Sequence, residues 1–280
     1  MENSFVPVSS STPIRADLEL LYRVDEGESN AHFVGSDNGD MLYELDITIN
    51  LQELWIEGAG GGGGGGGGAA GAGPGMGRGG GGTGGNGAYC TAAFKISLRR
   101  GDKLSIRLGH GGNGGVGSPS LQNFGSSGLR GSDTILSVNG AVFLTFVGSN
   151  GGGGGRFTGG HHSPQAGAVG DTNPPSGIQN YFYAAGGVLG QKGADVTLPF
   201  GGRGGASGDS GGGGGGGASL RGTGGRGGHY TVPCTNVFMG INGHFGSGGG
   251  GGAGGGPETC DLGGLGGSGG LGYVWIYRPT

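Results

Sequence analysis

Nine consecutive glycines, Gly60 to Gly68, run straight on from the apolar segment Leu54-Trp55-Ile56-Glu57. Such a run excludes a helix, because each glycine costs about 0.8–1.0 kcal/mol relative to alanine in a helix interior. It suits an ordinary strand no better: glycine brings no side chain to pack and loses the most backbone freedom on folding. Comparable runs return at 151–155, 211–217 and 248–252, so whatever orders this tract organises the chain. Glycine makes up 85 of 280 residues, a level that without a strict period ordinarily marks disorder. Two features oppose that reading. The formal net charge is only -4 with 12% charged residues, whereas chains held open by composition repel themselves or lack apolar residues. The apolar residues are also gathered in short segments of strand character. Ordering a glycine costs roughly 0.5–1 kcal/mol beyond alanine, so ordered tracts require many neighbours, from this chain or from identical chains.

Alternation marks the strands. Leu45, Ile47, Ile49 and Leu51 alternate with Asp46, Thr48 and Asn50, the period-2 signature of a strand with one buried face. Phe94, Ile96 and Leu98, the turn Arg100-Gly101-Asp102, and Leu104, Ile106 and Leu108 read as a β-hairpin. Asn139-Gly140, between Thr134-Leu136-Val138 and Val142-Leu144-Phe146, is the strongest short hairpin signal in the chain. Thr231 to Ile241 is a weaker candidate, confined to an edge by Pro233. Tyr273 to Tyr277 closes the chain as a last strand. No segment shows helical periodicity with caps. The expected fold is all-β, an antiparallel β-sandwich framework with long glycine-rich loops. Residues 1–43, poorer in glycine, read as an N-terminal arm or docking segment, and 44–280 as one glycine-rich β domain.

The glycine tracts have a period of their own. Leu262, Leu265, Ser268 and Leu271 stand three apart with Gly-Gly in every gap, as do His110, Asn113 and Val116, and Thr223, Arg226 and His229. Shorter pairs are Thr83 with Asn86 and Arg203 with Ala206. A polyproline-II helix has 3 residues per turn and no internal hydrogen bonds. A Gly-Gly-X repeat in that conformation sets every X on one ridge and leaves two bare faces. Neighbouring helices can then approach and exchange the N–H and C=O bonds that cannot be left orphaned. The expectation is an ordered polyglycine-II bundle, against chance spacing in any glycine-rich chain.

With strands and tracts placed, residues 44–280 resemble the glycine-rich domains of tailed-phage tail fibre and tail tip proteins. A strand runs into G-A-G-G-G-G, here Leu54 to Gly62. A segment of the type F-x-I-x-L-x-x-G-D-x-L-x-I-x-L-G-x-G-G follows, here Phe94 to Gly112, and a short C-terminal strand closes it, here Gly272 to Tyr277. The resemblance implies a glycine bundle that serves as scaffold while loops at its end recognise a host surface. A similar module occurs in certain animal receptor tyrosine kinase ectodomains, but the signal peptide and companion modules of such receptors have no counterpart here.

Chemical motifs are thin. Gly58 to Gly63 satisfies G-x-G-x-x-G, but the glycines that follow cannot open the helix a dinucleotide site needs. Gly187 to Lys192 lacks the ending of a phosphate loop. His161-His162 stands without an acidic or cysteine partner at metal spacing. No carboxylate pairing is recognisable, and no basic block suits nucleic acid. Cys90, Cys234 and Cys260 form no C-x-x-C pair, leaving one bridge with a free thiol or three thiols open. No apolar run reaches membrane-span length, and Met1 to Ser11 lacks signal-peptide character. The expectation is therefore neither enzyme, metal site nor cofactor site. The segment 156–200 carries Arg156-Phe157, His161-His162, Tyr181-Phe182-Tyr183 and Phe200 among Gly, Pro, Ser and Asn. Arginine and aromatics in adaptable polar loops are what recognition surfaces favour. Arg156, Phe157, His161, His162, Tyr181, Phe182 and Tyr183 are the candidate receptor-binding residues, with Tyr181 to Tyr183 equally readable as a covering strand. The expected role is a phage virion structural protein at the tail or fibre tip, made in the host cytoplasm. Its partners would be other tail proteins through residues 1–43, a bacterial surface glycan or outer-membrane protein, and further copies of itself, a trimer included. A purely architectural tail or capsid decoration subunit is the alternative. An ice-binding protein stands lowest, because its flat ridges would carry Thr, Ala or Ser.

Overall fold

The computed structural model describes residues 18–27, 29–70, 77–78, 81–82, 84–85, 87, 89–119, 124–155, 157–158, 181–184, 216, 219, 221–228, 239–254 and 262–280. Among them the regular elements are all strands: β1 (Leu18–Val24), β2 (His32–Asp37), β3 (Asp40–Asp46), β4 (Leu51–Ala59), β5 (Gly77–Arg78), β6 (Tyr89–Leu98), β7 (Lys103–Leu108), β8 (Thr134–Val138), β9 (Ala141–Phe146), β10 (Phe157–Thr158), β11 (Tyr181–Ala184) and β12 (Tyr273–Pro279). One antiparallel sheet has the order β1-β12-β4-β6-β11, a second β2-β3-β7-β8-β9, and β5 pairs with β10 as a short ribbon. The two sheets enclose one core. Val24, Leu54, Ile56, Val274 and Ile276 of the first meet Tyr43, Leu45, Leu104, Ile106, Leu108, Leu136, Leu144 and Phe146 of the second. Alternation explains the second sheet, where inward Leu104, Ile106 and Leu108 are buried and outward Lys103 and Arg107 exposed. β12 is an unbroken apolar run because both of its faces are covered, with Tyr273, Val274 and Ile276 all inaccessible to solvent.

Three expectations are corrected. The segment Phe94 to Leu108 is not a hairpin: β6 pairs with β4 and β11, whereas β7 pairs with β3 and β8. Arg100-Gly101-Asp102 is instead a corner between sheets. It docks on the connection 47–50, which makes the same crossing between β3 and β4: Gly101 N–H donates to the Ile47 carbonyl at 2.8 Å and Ile47 N–H to that of Asp102 at 2.9 Å. The alternation at 45–51 accordingly spans the end of β3, the crossing and the start of β4 rather than one strand. The boundary at 43/44 also falls inside β3, for residues 18–43 supply β1, β2 and most of β3, paired within both sheets. Asn38-Gly39, with φ of 50° and 91°, turns β2 into β3 as Asn139-Gly140, with 48° and 82°, turns β8 into β9; the same two-residue signal stood in both places.

Below the sheets the glycine segments hydrogen-bond to one another with a period of three. Gly61, Gly64 and Gly67 donate to Ser132, Leu129 and Ser126; Gly62, Gly65 and Gly68 to Gly270, Gly267 and Gly264; Gly63 and Gly66 to Gly85 and Gly82. Their carbonyls accept in the same rotation, from Ser149, Gly152 and Gly155, from Gly112, Gly115 and Ser118, and from Gly249 and Gly252. The 60–68 tract is thus surrounded by 125–132, 263–272, 81–87, 148–155, 109–118 and 247–253, three running antiparallel to it and three parallel. The 247–253 segment is enclosed likewise, with 222–228 and 240–246 on its far side. This connectivity arranges the segments in rows: 109–118, 263–272 and 240–246 in one outer row, 125–132, 60–68, 247–253 and 222–228 between, and 148–155, 81–87 and Gly216 in the other outer row. Thr231 to Phe238 of the weak strand candidate lie outside the described residues, and Met239 to Ile241 enter the outer row rather than a sheet.

Candidate recognition surface

One end of the glycine array abuts the sheets. Gly61, Ser132, Ser149, Gly246 and Gly272 stand there, and the chain passes directly into or out of β4, β8, β9 and β12. At the opposite, distal end Gly68, Ser118, Gly125, Gly155, Gly252 and Gly264 share one level of hydrogen bonds. The described segments finish at that end at Ala70, Pro119, Gly155, Gly228 and Gly254, and begin there at Gly81, Phe124, Met239 and Leu262. The ribbon of β5 and β10 pairs Phe157 with Arg78 and Thr158 with Gly77.

The candidate residues do not gather at one place. Phe157 lies in the distal ribbon, whereas Tyr181, Phe182 and Tyr183 form β11 on the edge of the first sheet, paired with Ala92, Thr91 and Cys90. The strand alternative for that trio is the backbone conformation found. Arg156, His161 and His162 lie outside the described residues, as do Phe200, Cys234 and Cys260. Within the glycine segments Asn113, Val116, Thr223, Arg226, Leu262 and Leu265 are exposed while Gly112, Gly115, Gly264, Gly267 and Gly270 are buried. Thr83, Asn86, Arg203, Ala206 and His229 are outside the described residues.

Two polar clusters that no sequence motif announced tie the array to the sheets. Glu57 is fully buried on the outward face of β4, and Arg221, from the turn 219–222, forks onto it with Nε–Oε1 at 2.5 Å and Nη2–Oε2 at 2.8 Å. The Tyr273 hydroxyl donates to Oε1 at 3.2 Å, and the Arg221 guanidinium lies 4.3 Å from the Trp275 ring centroid. The hydrogen bond to Glu57 raises the Arg221 pKa, outweighing the opposing effect of burial. Burial, followed by the Glu57 charge, pushes the Tyr277 phenol up to about 12. Trp275 Nε1 donates to Asp25 at 2.9 Å, which also accepts from Arg23 Nε at 2.5 Å. In the second cluster Asp40 Oδ1 accepts from the Ser132 hydroxyl and from His110 N–H at 3.1 Å, and meets His110 Nδ1 at 2.8 Å. Burial works against ionisation of Asp40, but the hydrogen bonds of Ser132 and His110 outweigh it and lower its pKa.

A serine, a histidine and an aspartate in contact invite a nucleophilic reading, which the geometry rejects for this cluster. Ser132 Oγ and Asp40 Oδ1 crowd the same imidazole nitrogen, Nδ1, at 2.9 and 2.8 Å. The hydroxyl proton is committed to the carboxylate, whereas a relay needs the acid and the hydroxyl on opposite ring nitrogens. Among the described residues no three His, Cys, Asp or Glu assemble as a metal site, and no helix is long and apolar enough to cross a membrane. Neither a protein-family model nor a curated protein matches the chain.

Proposed function

We propose that this chain is a structural protein of a phage tail or tail-fibre tip, in which packed polyglycine-II helices form a rigid scaffold whose distal connections bind the bacterial surface. The observation that carries the reading is a shared end: the described segments finishing at Ala70, Pro119, Gly155, Gly228 and Gly254 all finish at the end of the array remote from the sheets. Functional loops belong on rigid supports, and here the support is backbone bonded to backbone. The three-residue rotation of hydrogen-bond partners around 60–68 supports the polyglycine-II conformation, since 3 residues per turn aim successive N–H groups at three neighbours. Binding of a surface glycan or outer-membrane protein through several weak contacts gains avidity from repetition on the particle. Attachment to other tail proteins falls to residues 1–43, in which β1 and β2 are edge strands among the described residues and Leu20, Phe33 and Val34 are exposed; an added strand completes such an edge.

Adsorption of particles carrying Phe157→Ala or Arg156→Ala tests the reading, with Tyr181→Ala as a comparison at the sheet edge. Loss of adsorption for the first two with normal incorporation supports the adhesin. Normal adsorption of all three leaves the architectural subunit as the function.

A further inference from the structure

We infer that the outer row of the array formed by 109–118, 263–272 and 240–246 is a contact surface for a second copy of this chain. Its neighbours on the inner side saturate one side of the row, and its ridge residues point away from them. Val116 is 61% exposed, Met239 58%, Ile241 52%, Leu262 50% and Leu265 44%; Leu129 at 59%, on the ridge of Ser126 and Ser132 that meets 109–118, extends the patch onto the adjoining 125–132 segment. From Met239 to Gly246, Gly109 to Ser118 and Leu262 to Gly272 there is no Asp, Glu, Lys or Arg. Half-exposed side chains of this size leave on the order of 100 Å² each, so the patch totals on the order of 600 Å². That reaches the top of the roughly 300–600 Å² of the largest patch on a monomer, and the glycine furrows between the ridges bring it toward the roughly 800 Å² that each partner gives a stable interface.

The occupant follows from the pattern. A membrane surface calls for a basic rim that these segments lack, and a glycan calls for hydrogen-bonding groups where Val, Leu and Met stand. The ridges repeat every third residue on adjacent segments, with Asn242 Oδ1 accepting from Ser268 N–H at 2.8 Å to hold two of them together. Turned by 180° about an axis lying in the face, along or across the ridges, such a lattice presents parallel ridges to its own copy, so the ridges of one copy enter the furrows of the other. That self-matching is what a two-fold contact demands of a single surface. The inference deepens the multivalent reading above by naming the face that would join copies, and the two fail separately, because adsorption reads the distal connections and association reads this face.

Sedimentation velocity of the full chain over a micromolar to high-micromolar series tests it. The unaltered protein should associate to a dimer, and Leu265→Arg or Val116→Arg should weaken the dimer at least tenfold while leaving the thermal midpoint unchanged. Asn150→Ala, in the opposite outer row, should leave it intact. A protein that remains monomeric throughout the series overturns the inference, as does a dimer that both arginine variants leave unchanged. Should either variant fail to fold, Leu262→Lys and Met239→Lys at the exposed rim are read by the same criterion.

Discussion

At the scale of residues, the glycines of the array are held to their identity by space rather than by dihedral angle. Positive φ occurs at Gly39, Gly101, Gly140 and Gly246 among the described glycines, all at turns, and nowhere in 60–68. A Cβ added at Gly64 would come closer than 3.0 Å to the carbonyl of Asn113, and one at Gly267 to that of Ile241. These are backbone atoms fixed by their own hydrogen bonds, so nothing can swing aside. Gly64→Ala and Gly267→Ala should therefore each cost roughly 3 kcal/mol in denaturant unfolding, against a change within about 0.5 kcal/mol for Ser268→Ala on the ridge. Asp40 gives a pH prediction. Its folded pKa is lowered from the usual 3.8, so its contribution is complete above that value and is lost as pH falls through the lower folded value. The stability difference between the unaltered protein and Asp40→Asn should stay level from neutrality down to about pH 5 and shrink below about pH 4; a difference that instead grew on acidification would refute the assignment.

At the scale of elements, the sheets and the array are joined by few side chains of high consequence. β12, between β1 and β4, carries both contacts: Val274 and Ile276 face the core while Tyr273 and Trp275 face Glu57 and Arg221. Breaking one half of a buried pair strands the other charge, which costs about 3–5 kcal/mol. Arg221→Met should show that loss in calorimetric or urea unfolding, and Glu57→Gln in the same chain should recover most of it, since the amide oxygen still accepts from Tyr273. The corner at Arg99 to Asp102 shows why local reading misassigned a hairpin. Turn chemistry at Gly101, with φ of 96°, is identical whether the next strand pairs with the last or crosses to the other sheet. What decides is the partner at 47–50, some fifty residues away, whose backbone accepts and donates at the corner and whose Asn50 Oδ1 accepts from Arg100 N–H at 2.9 Å.

At the scale of the whole molecule, the 60–68 tract touches six other segments that lead into both sheets, so array and core have no independent existence. A single cooperative transition is expected: Trp55 and Trp275 fluorescence, reporting the first sheet, should change at the same denaturant concentration at which amide protection in 60–68 is lost. Separate midpoints would show the array to be an appended unit. Alternation and the Asn139-Gly140 pair were enough to make the chain all-β and to place β7, β8, β9 and β12, because a half-buried strand writes its period into its own residues. The spacing by three at Leu262, Leu265 and Ser268 matches the three-residue rotation of hydrogen-bond partners among the glycine segments. Within 60–68 no X exists, so its neighbours could not be read, although its central burial follows from having no side chain to expose. The clusters of Glu57 with Arg221 and of Asp40 with His110 and Ser132 were invisible for a different reason: their members lie far apart in sequence, and a charge or hydroxyl carries no mark of its partner. Local pattern determined which segments are strands and which tracts have a ridge. Only the tertiary structure decided which sheet each strand joins and which neighbours each glycine meets, because backbone hydrogen bonds identify their partners by position in space and not by residue type.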